Sequence, residues 1–191
     1  MNDEENWRRF ELLAMPHLDA AYNLARWLSH NDHDAQDIVQ DATMRAMRYI
    51  HGLRAEGARS WLLQIVRNTY YTWLKTNRPS ERVILDDFDD AWHDFPAPAA
   101  DEPHVIAARK ADRDELNAAI SALPVAYREV LVLRELEDFS YSDIARIAEI
   151  PIGTVMSRLA RARGLLRAAL TPKARPALHT VPNSARGGAK S

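Results

Sequence analysis

The sequence predicts an all-α protein made of two small helical domains joined by a flexible acidic linker. Apolar residues recur at helical spacing on both sides of the middle of the chain. Between these stretches, residues 79–109 are rich in proline and in acidic residues, a composition that suits an extended tether better than a core. A length of 191 residues accommodates two such domains, predicted over 1–78 and 110–170.

The composition excludes several classes of protein. With 47% apolar and 27% charged residues, the chain has enough apolar material for globular cores. The absence of cysteine excludes disulfides and thiolate metal sites. The polar start "MNDEENWRRF" is unlike a signal segment, and no run approaches membrane-spanning length. We therefore expect a cytoplasmic protein.

Three helical patterns fill the first domain. The first covers residues 6–29, and Pro16 is expected to kink or split it. The turn-forming letters "HNDHD" supply N-caps for a second helix over 34–50. Two glycines in "HGLRAEGAR" interrupt the pattern before a third helix over 58–76. The apolar stripe expected on the second helix comprises Ile38, Ala42, Met44 (or the stem of Arg45), Ala46 and Ile50.

The second domain contains a helix-turn-helix pattern in "SYSDIARIAEIPIGTVMSRLARARGLLRAAL", residues 140–170. Ser140 and Asp143 have the spacing of a capping box. The first helix must end before Pro151, because the residue preceding a proline is disfavoured in the α region. A second helix is predicted to begin at Gly153 or Thr154.

Charge is distributed unevenly, although the formal net charge is only −2. Residues 78–110 carry four basic and eight acidic residues, a local net charge of −4, and residues 152–170 carry four arginines and no acid. The second helix turns small side chains and Arg161 outward, which suits close approach to a major groove and contact with phosphate or guanine. An isolated basic helix, by contrast, is more often a solvated surface helix.

Three stretches together resemble one family. "LPVAYREVLVLRELEDFSYSDIARIAEIPIGTVMSRLARARGLLRAAL" resembles region 4 of the ECF (extracytoplasmic function) sigma factors, the small promoter-recognition subunits of bacterial RNA polymerase. "HDAQDIVQDATMRAMRYI" is similar to the polymerase-binding helix of the family's region 2, and "ARSWLLQIVRNTYYTWLKTNR" is similar to its promoter-melting segment. The resemblance implies a region 2-like bundle of three to four helices and a region 4-like helix-turn-helix domain. The prolines and glycines of the basic tail, 171–191, independently predict that it is disordered.

The resemblance also implies partners and site residues. The partners would be core RNA polymerase through its β′ and β subunits, promoter DNA and an anti-sigma factor, with no cofactor, metal or small-molecule substrate and no enzymatic activity. The polymerase-binding residues would be Asp37, Gln40 and Asp41. The resemblance places Trp61 and Asn68 at the opened −10 element. The chemistry of neighbouring residues adds Tyr71 as a ring for stacking and Arg54, Arg59 and Arg67 as phosphate contacts. The residues at the −35 element would be Thr154, Met156, Ser157, Arg158, Ala160, Arg161 and Arg163.

The sequence departs from the family pattern in the turn and in the recognition helix. The turn position that is usually glycine is Glu149, so the turn forms without that freedom or with strain. Met156 and Ala160 stand where the family often has basic or bulkier residues, which leaves fewer polar groups to read bases. The aromatic residues Trp61, Tyr70 and Trp73 could instead pack the core, and Tyr71 is expected to be the most exposed of these rings.

Other functions explain less of the sequence. Asp37 and Asp41 lie one helical turn apart and repel each other, which suits a cationic partner better than catalysis. The pair His30 and His33 lacks a second cluster of metal ligands. No nucleotide-binding loop, nucleophile elbow or "HExxH" motif occurs. A stand-alone helix-turn-helix regulator that binds DNA as a dimer would leave the first domain without a purpose. A pure interaction module, whose helical faces bind a regulator rather than DNA, is a third alternative.

Overall fold

The computed structural model describes residues 3–78 and 109–171, and these form helices and turns with no strand among them. Most of the predicted acidic linker and basic tail, residues 79–108 and 172–191, lies outside the described residues. In chain order the helices are α1 (Asp3–Leu13), α2 (Leu18–Ser29), α3 (Asp32–Tyr49), α4 (Ala58–Asn77), α5 (Arg109–Ser121), α6 (Val125–Leu131), α7 (Tyr141–Ala148) and α8 (Ile152–Leu170). We refer to α1–α4 as the N-terminal helices and to α5–α8 as the C-terminal helices.

Pro16 splits the first predicted helix, as the sequence indicated. Helix α1 ends at Leu13, and a 3-10 turn over Met15–His17 carries the proline near its start, where a missing backbone N–H costs nothing. Helix α2 then begins at Leu18. Helices α2, α3 and α4 pack against one another and form the body of the N-terminal helices.

The start of α3 is determined by its cap. The Asn31 side chain accepts hydrogen bonds from the backbone N–H groups of His33 (2.8 Å) and Asp34 (3.1 Å). The helix consequently begins at Asp32, two residues earlier than predicted. Its apolar stripe is buried as expected at Ile38, Ala42, Ala46 and Ile50. Met44 does not belong to the stripe, because its side chain is 49% exposed.

Among the C-terminal helices, α6 has Pro124 as its N-cap residue. Helix α6 continues into a π-helical turn over Val132–Leu136, closed by the hydrogen bond from the Glu137 N–H to the Val132 carbonyl (3.1 Å). The chain then reverses at Asp138, which adopts the left-handed conformation with φ of 52°. This reversal places Phe139 in the core and brings the chain to the start of α7.

The helix-turn-helix forms where it was predicted. The Ser140 hydroxyl accepts a hydrogen bond from the Asp143 N–H (3.1 Å) and caps α7. Glu149 follows α7 in the left-handed conformation, with φ of 55° and ψ of 42°. A non-glycine residue is strained there, which confirms the expectation of a turn made without glycine. Helix α8 begins at Ile152 rather than at Gly153 or Thr154, because Pro151 serves as its N-cap.

One apolar core joins the two sets of helices. Helix α4 packs on α7, and α2 packs on α6, so that Leu28 and Val66 belong to the same buried cluster as Leu133 and Ile144. The buried guanidinium of Arg128 spans the junction and donates to the Leu123 carbonyl (2.9 Å) and the Leu28 carbonyl (3.4 Å). A smaller cluster closes α5 against α6 and α8. Within the described ranges, no helix is both long enough and apolar enough to cross a membrane.

Candidate nucleic-acid interface

One side of α4 presents a stripe of hydrogen-bond donors to the C-terminal helices. Gln64, Arg67, Asn68 and Tyr71 recur at intervals of three or four residues and therefore share a face of the helix. Arg59 lies one turn before them, near the start of α4. We call these five residues the donor stripe. Three of the C-terminal glutamates, Glu129, Glu137 and Glu149, supply the acceptors.

The centre of this contact is a buried ion pair between Arg67 and Glu129. The Arg67 Nε atom donates to Glu129 Oε1 at 2.5 Å, and the Tyr71 hydroxyl donates to Oε2 of the same carboxylate at 3.2 Å. Glu129 is fully buried, and burial raises the pKa of its carboxyl while the charge of Arg67 opposes that rise. Burial alone would lower the pKa of Arg67, but the neighbouring Glu129 charge raises it. Each charge of the pair therefore stabilises the other in this buried position.

Glu149 forms the second contact, from the turn between α7 and α8. Its Oε1 atom accepts hydrogen bonds from the side-chain amides of Gln64 (2.9 Å) and Asn68 (3.2 Å). These two hydrogen bonds, first that of Gln64 and then that of Asn68, lower the pKa of the Glu149 carboxyl. The strained residue of the turn is therefore also a residue that binds α4.

Arg59 forms the third contact. Its guanidinium donates to the Glu137 carboxylate (2.6 Å) and to the Glu137 backbone carbonyl (2.8 Å), and it lies 4.5 Å from the centre of the Phe139 ring. A further bond joins α7 to α4, from Arg146 to the Ser60 hydroxyl (2.9 Å). In this conformation the donors of α4 are occupied along the length of the stripe.

The first half of α3 carries a second polar surface, which the C-terminal helices do not cover. Asp37, Gln40 and Asp41 are all exposed and share one face of α3. Asp37 lies 3.3 Å from the ring of His33, one turn earlier on the same helix. We call Asp37, Gln40 and Asp41 the acidic face.

The first turns of α8 are more exposed to solvent than its middle. Met156 is 55% exposed and Ser157 is also exposed, whereas Thr154, Ala160 and Arg161 are half-buried. Arg163 is exposed and forms an ion pair of 2.6 Å with Glu135. Its guanidinium is therefore held against the end of α6 in this conformation.

Comparisons with known proteins identify the family. The chain matches the model "Sigma-70 region 2" over residues 13–79 and the model "Sigma-70, region 4" over residues 113–166. It is 32% identical to the RNA polymerase sigma-H factor of Pseudomonas aeruginosa over 89% of this chain and 90% of that protein. The chain belongs to the ECF RNA polymerase sigma factors. It is accordingly a subunit that acts in transcription initiation.

Two further relatives support this assignment. The ECF sigma-E factor of Haemophilus influenzae is 33% identical over 78% of this sigma factor and 80% of its own length. The solved structure of the sigma factor RpoE from Bartonella quintana, in complex with the anti-sigma factor NepR, superposes with a TM-score of 0.62. That structure is 27% identical and covers 83% of this chain and 94% of its own. Members of the sigma factor family are not generally catalytic.

Burial differs from expectation at two of these residues. Tyr71, expected to be the most exposed of the rings, is half-buried and its hydroxyl is bonded to Glu129. Arg158 is only 9% exposed, and its charge acts on the buried Glu129. Tyr70 is buried, and Trp61 and Trp73 pack partly buried against the core, as the alternative interpretation of these rings held. Arg54 is exposed.

Sequence reasoning missed the acceptors of the donor stripe and one of its donors. Gln64, Glu129 and Glu137 were assigned no role, although Glu129 is a charged residue inside the apolar run "VAYREVLVL", which is a signal of a buried partner. Ile152, at the start of α8, is 51% exposed and was also missed. Among the residues that the structure describes, no group of three or more histidines and carboxylates could hold a metal ion.

Proposed function

We propose that this sigma factor binds core polymerase through the acidic face of α3, contacts the −35 element with α8 and holds the opened −10 element on α4. The observation that carries this proposal is the combination, on one chain, of a helix-turn-helix and the donor stripe. The two predicted domains, 1–78 and 110–170, would separate in the polymerase complex, and the linker would set the distance between their sites. Two modest sites on one scaffold gain affinity through effective concentration.

The acidic face supports a role in binding a basic protein surface. Asp37 and Asp41 are like charges one turn apart, and their repulsion is relieved when a cationic partner arrives. Both are exposed, so a partner can bind them without any rearrangement of the core. The partner surface inferred from the resemblance is the coiled coil of the β′ subunit.

The exposed start of α8 supports a role at the −35 element. Ser157 and Arg161 supply polar groups for base edges, and Thr154, Ala160 and Arg163 lie beside them on the same helix. Met156 and Ile152 are exposed apolar side chains, which suit contact with thymine methyl groups. Arg158 would contribute to this surface only if its side chain left its buried position.

The donor stripe supports a role at the opened −10 element. The guanidinium groups of Arg59 and Arg67 can bind phosphate, and Arg54 lies exposed nearby in the chain. Asn68 can bind base edges, and Trp61 and Tyr71 offer rings on which an unstacked base gains about 1–3 kcal/mol. This chemistry is non-covalent throughout, so we propose that the sigma factor itself is not an enzyme.

An anti-sigma factor is a further proposed partner. The Bartonella quintana relative was crystallised with the anti-sigma factor NepR, and the similarity extends over most of both chains. We propose that this sigma factor has a comparable inhibitor and works in the cytoplasm, where core polymerase and promoters are found.

In vitro transcription tests the proposed function. Purified core polymerase and a genomic promoter library are incubated with and without this sigma factor, and the transcripts are sequenced. We expect a distinct set of start sites that depends on the sigma factor. DNA protection by the sigma factor alone, equal to that by the holoenzyme, would instead favour a stand-alone helix-turn-helix regulator and overturn the proposal.

A further inference from the structure

The two flanks of the exposed surface of α8 differ in chemistry. Ile152 and Met156 lie one turn apart on one flank, and their side chains are 51% and 55% exposed. Thr154 and Arg161 lie two turns apart on the other flank, and both are half-buried. We call Ile152 and Met156 the apolar flank, and Thr154 and Arg161 the polar flank. One side of the helix therefore offers apolar side chains, and the other offers hydrogen-bonding groups.

The surface between the two flanks is made of small residues, namely Gly153, Ser157, Ala160 and Gly164. The Ser157 hydroxyl donates to the Thr154 carbonyl at 3.0 Å and so lies close to the helix. A Cβ atom at either glycine would have no atom of another element within 4 Å, so the fold does not require glycine there. The helix backbone can therefore approach the floor of a groove closely, which lets both flanks reach base edges at the same time.

The apolar flank matches one chemical group of the major groove, the methyl group at C5 of thymine. The other groups on the base edges are hydrogen-bond donors and acceptors, which an apolar side chain would leave unpaired. Cytosine lacks the methyl group, but 5-methylcytosine carries it at the same ring position as thymine. Thymine and 5-methylcytosine differ at C4, where one has a carbonyl oxygen and the other an amino group. The apolar flank has no hydrogen-bonding group with which to distinguish these two.

The surroundings of the apolar flank favour DNA over a protein as its partner. Residues 152–170 carry four arginines and no acid, which suits a phosphate backbone. Arg163 lies two turns beyond Met156 on the same flank, where it is exposed and paired with Glu135. Two apolar side chains also form too small a patch for a stable protein interface by themselves.

We propose that the apolar flank recognises pyrimidine 5-methyl groups in the −35 element, and that it accepts 5-methylcytosine in place of thymine. The proposal rests on the −35 role assigned to α8 under the proposed function and names the bases that this role selects. Met156 and Ile152 contact the methyl groups of one or two base pairs, while Arg161 binds a guanine or a phosphate from the polar flank. Promoters that differ only in cytosine methylation at these positions are then bound with different affinities.

Two pairs of bases test the proposal, because the members of each pair differ by one methyl group. The −35 element of a promoter that the holoenzyme transcribes is synthesised with deoxyuridine in place of each thymine, one position at a time. Separate duplexes carry 5-methylcytosine or cytosine, opposite guanine, at the same positions. Competitive binding to the holoenzyme is measured at fixed salt. At one or two positions we expect thymine to bind about fourfold more tightly than uracil, and 5-methylcytosine about fourfold more tightly than cytosine.

Matched variants assign this preference to the apolar flank. Met156→Ala and Ile152→Ala replace exposed side chains, so both are expected to fold, and each should reduce the preference at its own position to less than about twofold. Arg161→Ala should weaken binding of every duplex but keep the methyl preference, because Arg161 lies on the polar flank. A preference that persists in both apolar-flank variants would mean that DNA shape senses the methyl group, and would overturn the assignment. Weaker binding of Met156→Ala to core polymerase alone would show that the flank contacts protein, and would also overturn it.

One further duplex separates this inference from the proposed function. In it the whole −35 element is replaced by an unrelated sequence. If this replacement weakens holoenzyme binding but no single methyl group matters, methyl recognition is wrong and the −35 role of α8 stands. If the replacement has no effect, the −35 role fails and methyl recognition fails with it.

Discussion

Two polar surfaces of the N-terminal helices have opposite environments. The acidic face of α3 is exposed, whereas the donor stripe of α4 is covered by the C-terminal helices. The charge of each surface explains the difference, because three glutamates of the C-terminal helices attract the arginines of α4 and would repel the aspartates of α3. A stretch that is polar in the sequence is therefore not necessarily exposed to solvent.

The largest expected effect comes from breaking the buried ion pair. Glu129→Ala leaves the Arg67 guanidinium and the Tyr71 hydroxyl without their acceptor, and we expect the free energy of unfolding to fall by about 3 kcal/mol. Urea unfolding of the full-length chain measures this change.

The exposed pair between Glu135 and Arg163 is the matched control for that substitution. Both side chains are nearly half exposed, at 47% and 46%. Glu135→Ala should therefore cost less than about 1 kcal/mol. Equal losses from the two substitutions would show that the ion pair between Arg67 and Glu129 is not buried in solution.

The next effect concerns the acidic face. Replacing both Asp37 and Asp41 by lysine should weaken binding to core polymerase at least about tenfold, because both charges are reversed at the surface that we propose binds a basic partner. Stability should not fall, since both side chains are exposed and their mutual repulsion is not made worse. Competition with a labelled wild-type chain for core polymerase measures the affinity. Gln36→Lys, on another exposed position of α3, is the control, and an equal loss there would argue against a specific face.

A third effect concerns the recognition helix. Arg161→Ala should weaken promoter binding by holoenzyme about tenfold, the size expected for loss of one guanidinium at a base or phosphate. Arg167 lies in the last turn of α8 and is exposed, so Arg167→Ala provides a control with the same loss of charge. Competitive promoter binding at fixed salt distinguishes them. Unchanged transcription initiation by the Arg161→Ala variant would show that Arg161 does not contribute to binding of the −35 element.

The sequence predicted local structure well in both halves of the chain. Pro16, Asn31 and Ser140 act through neighbours within a few residues, and Glu149 takes a conformation that depends on the turn in which it lies. Local signals of this kind can be read directly from the sequence. Helix starts moved by one to three residues: α1 begins at Asp3 instead of residue 6, and Asn31 and Pro151 cap their helices earlier than expected.

The covered state of α4 could not be predicted in the same way. Arg67 and Glu129 are 62 residues apart, and Gln64 and Glu149 are 85 apart, so no periodic pattern relates them. The polar residues of the donor stripe are equally compatible with a solvated face, so the pattern could not predict that Tyr71 is half-buried. The charge of Arg158 likewise acts on Glu129, a carboxylate of another helix.

The smallest expected effect tests whether the two sets of helices unfold together. Asn31→Ala and Ser140→Ala each remove one N-cap, and each should lower the free energy of unfolding by about 1 kcal/mol. Because one core spans both sets of helices, both substitutions should shift a single transition. Thr76→Ala, which removes only a hydroxyl bonded to its own helix, is expected to change stability by less than about 0.5 kcal/mol.

The positions of tryptophan make this test decisive. Trp7, Trp27, Trp61 and Trp73 all lie in the N-terminal helices, and the fifth, Trp92, precedes the C-terminal helices. Tryptophan fluorescence therefore reports on the N-terminal helices and, through Trp27, on the cluster where α5, α6 and α8 meet. Circular dichroism reports on all helices. If the two sets of helices unfold together, Ser140→Ala in the C-terminal helices will shift the fluorescence and dichroism transitions equally. A shift in dichroism alone would mean that the two sets of helices unfold independently, and the hydrogen bonds between them would then be too weak to couple their unfolding.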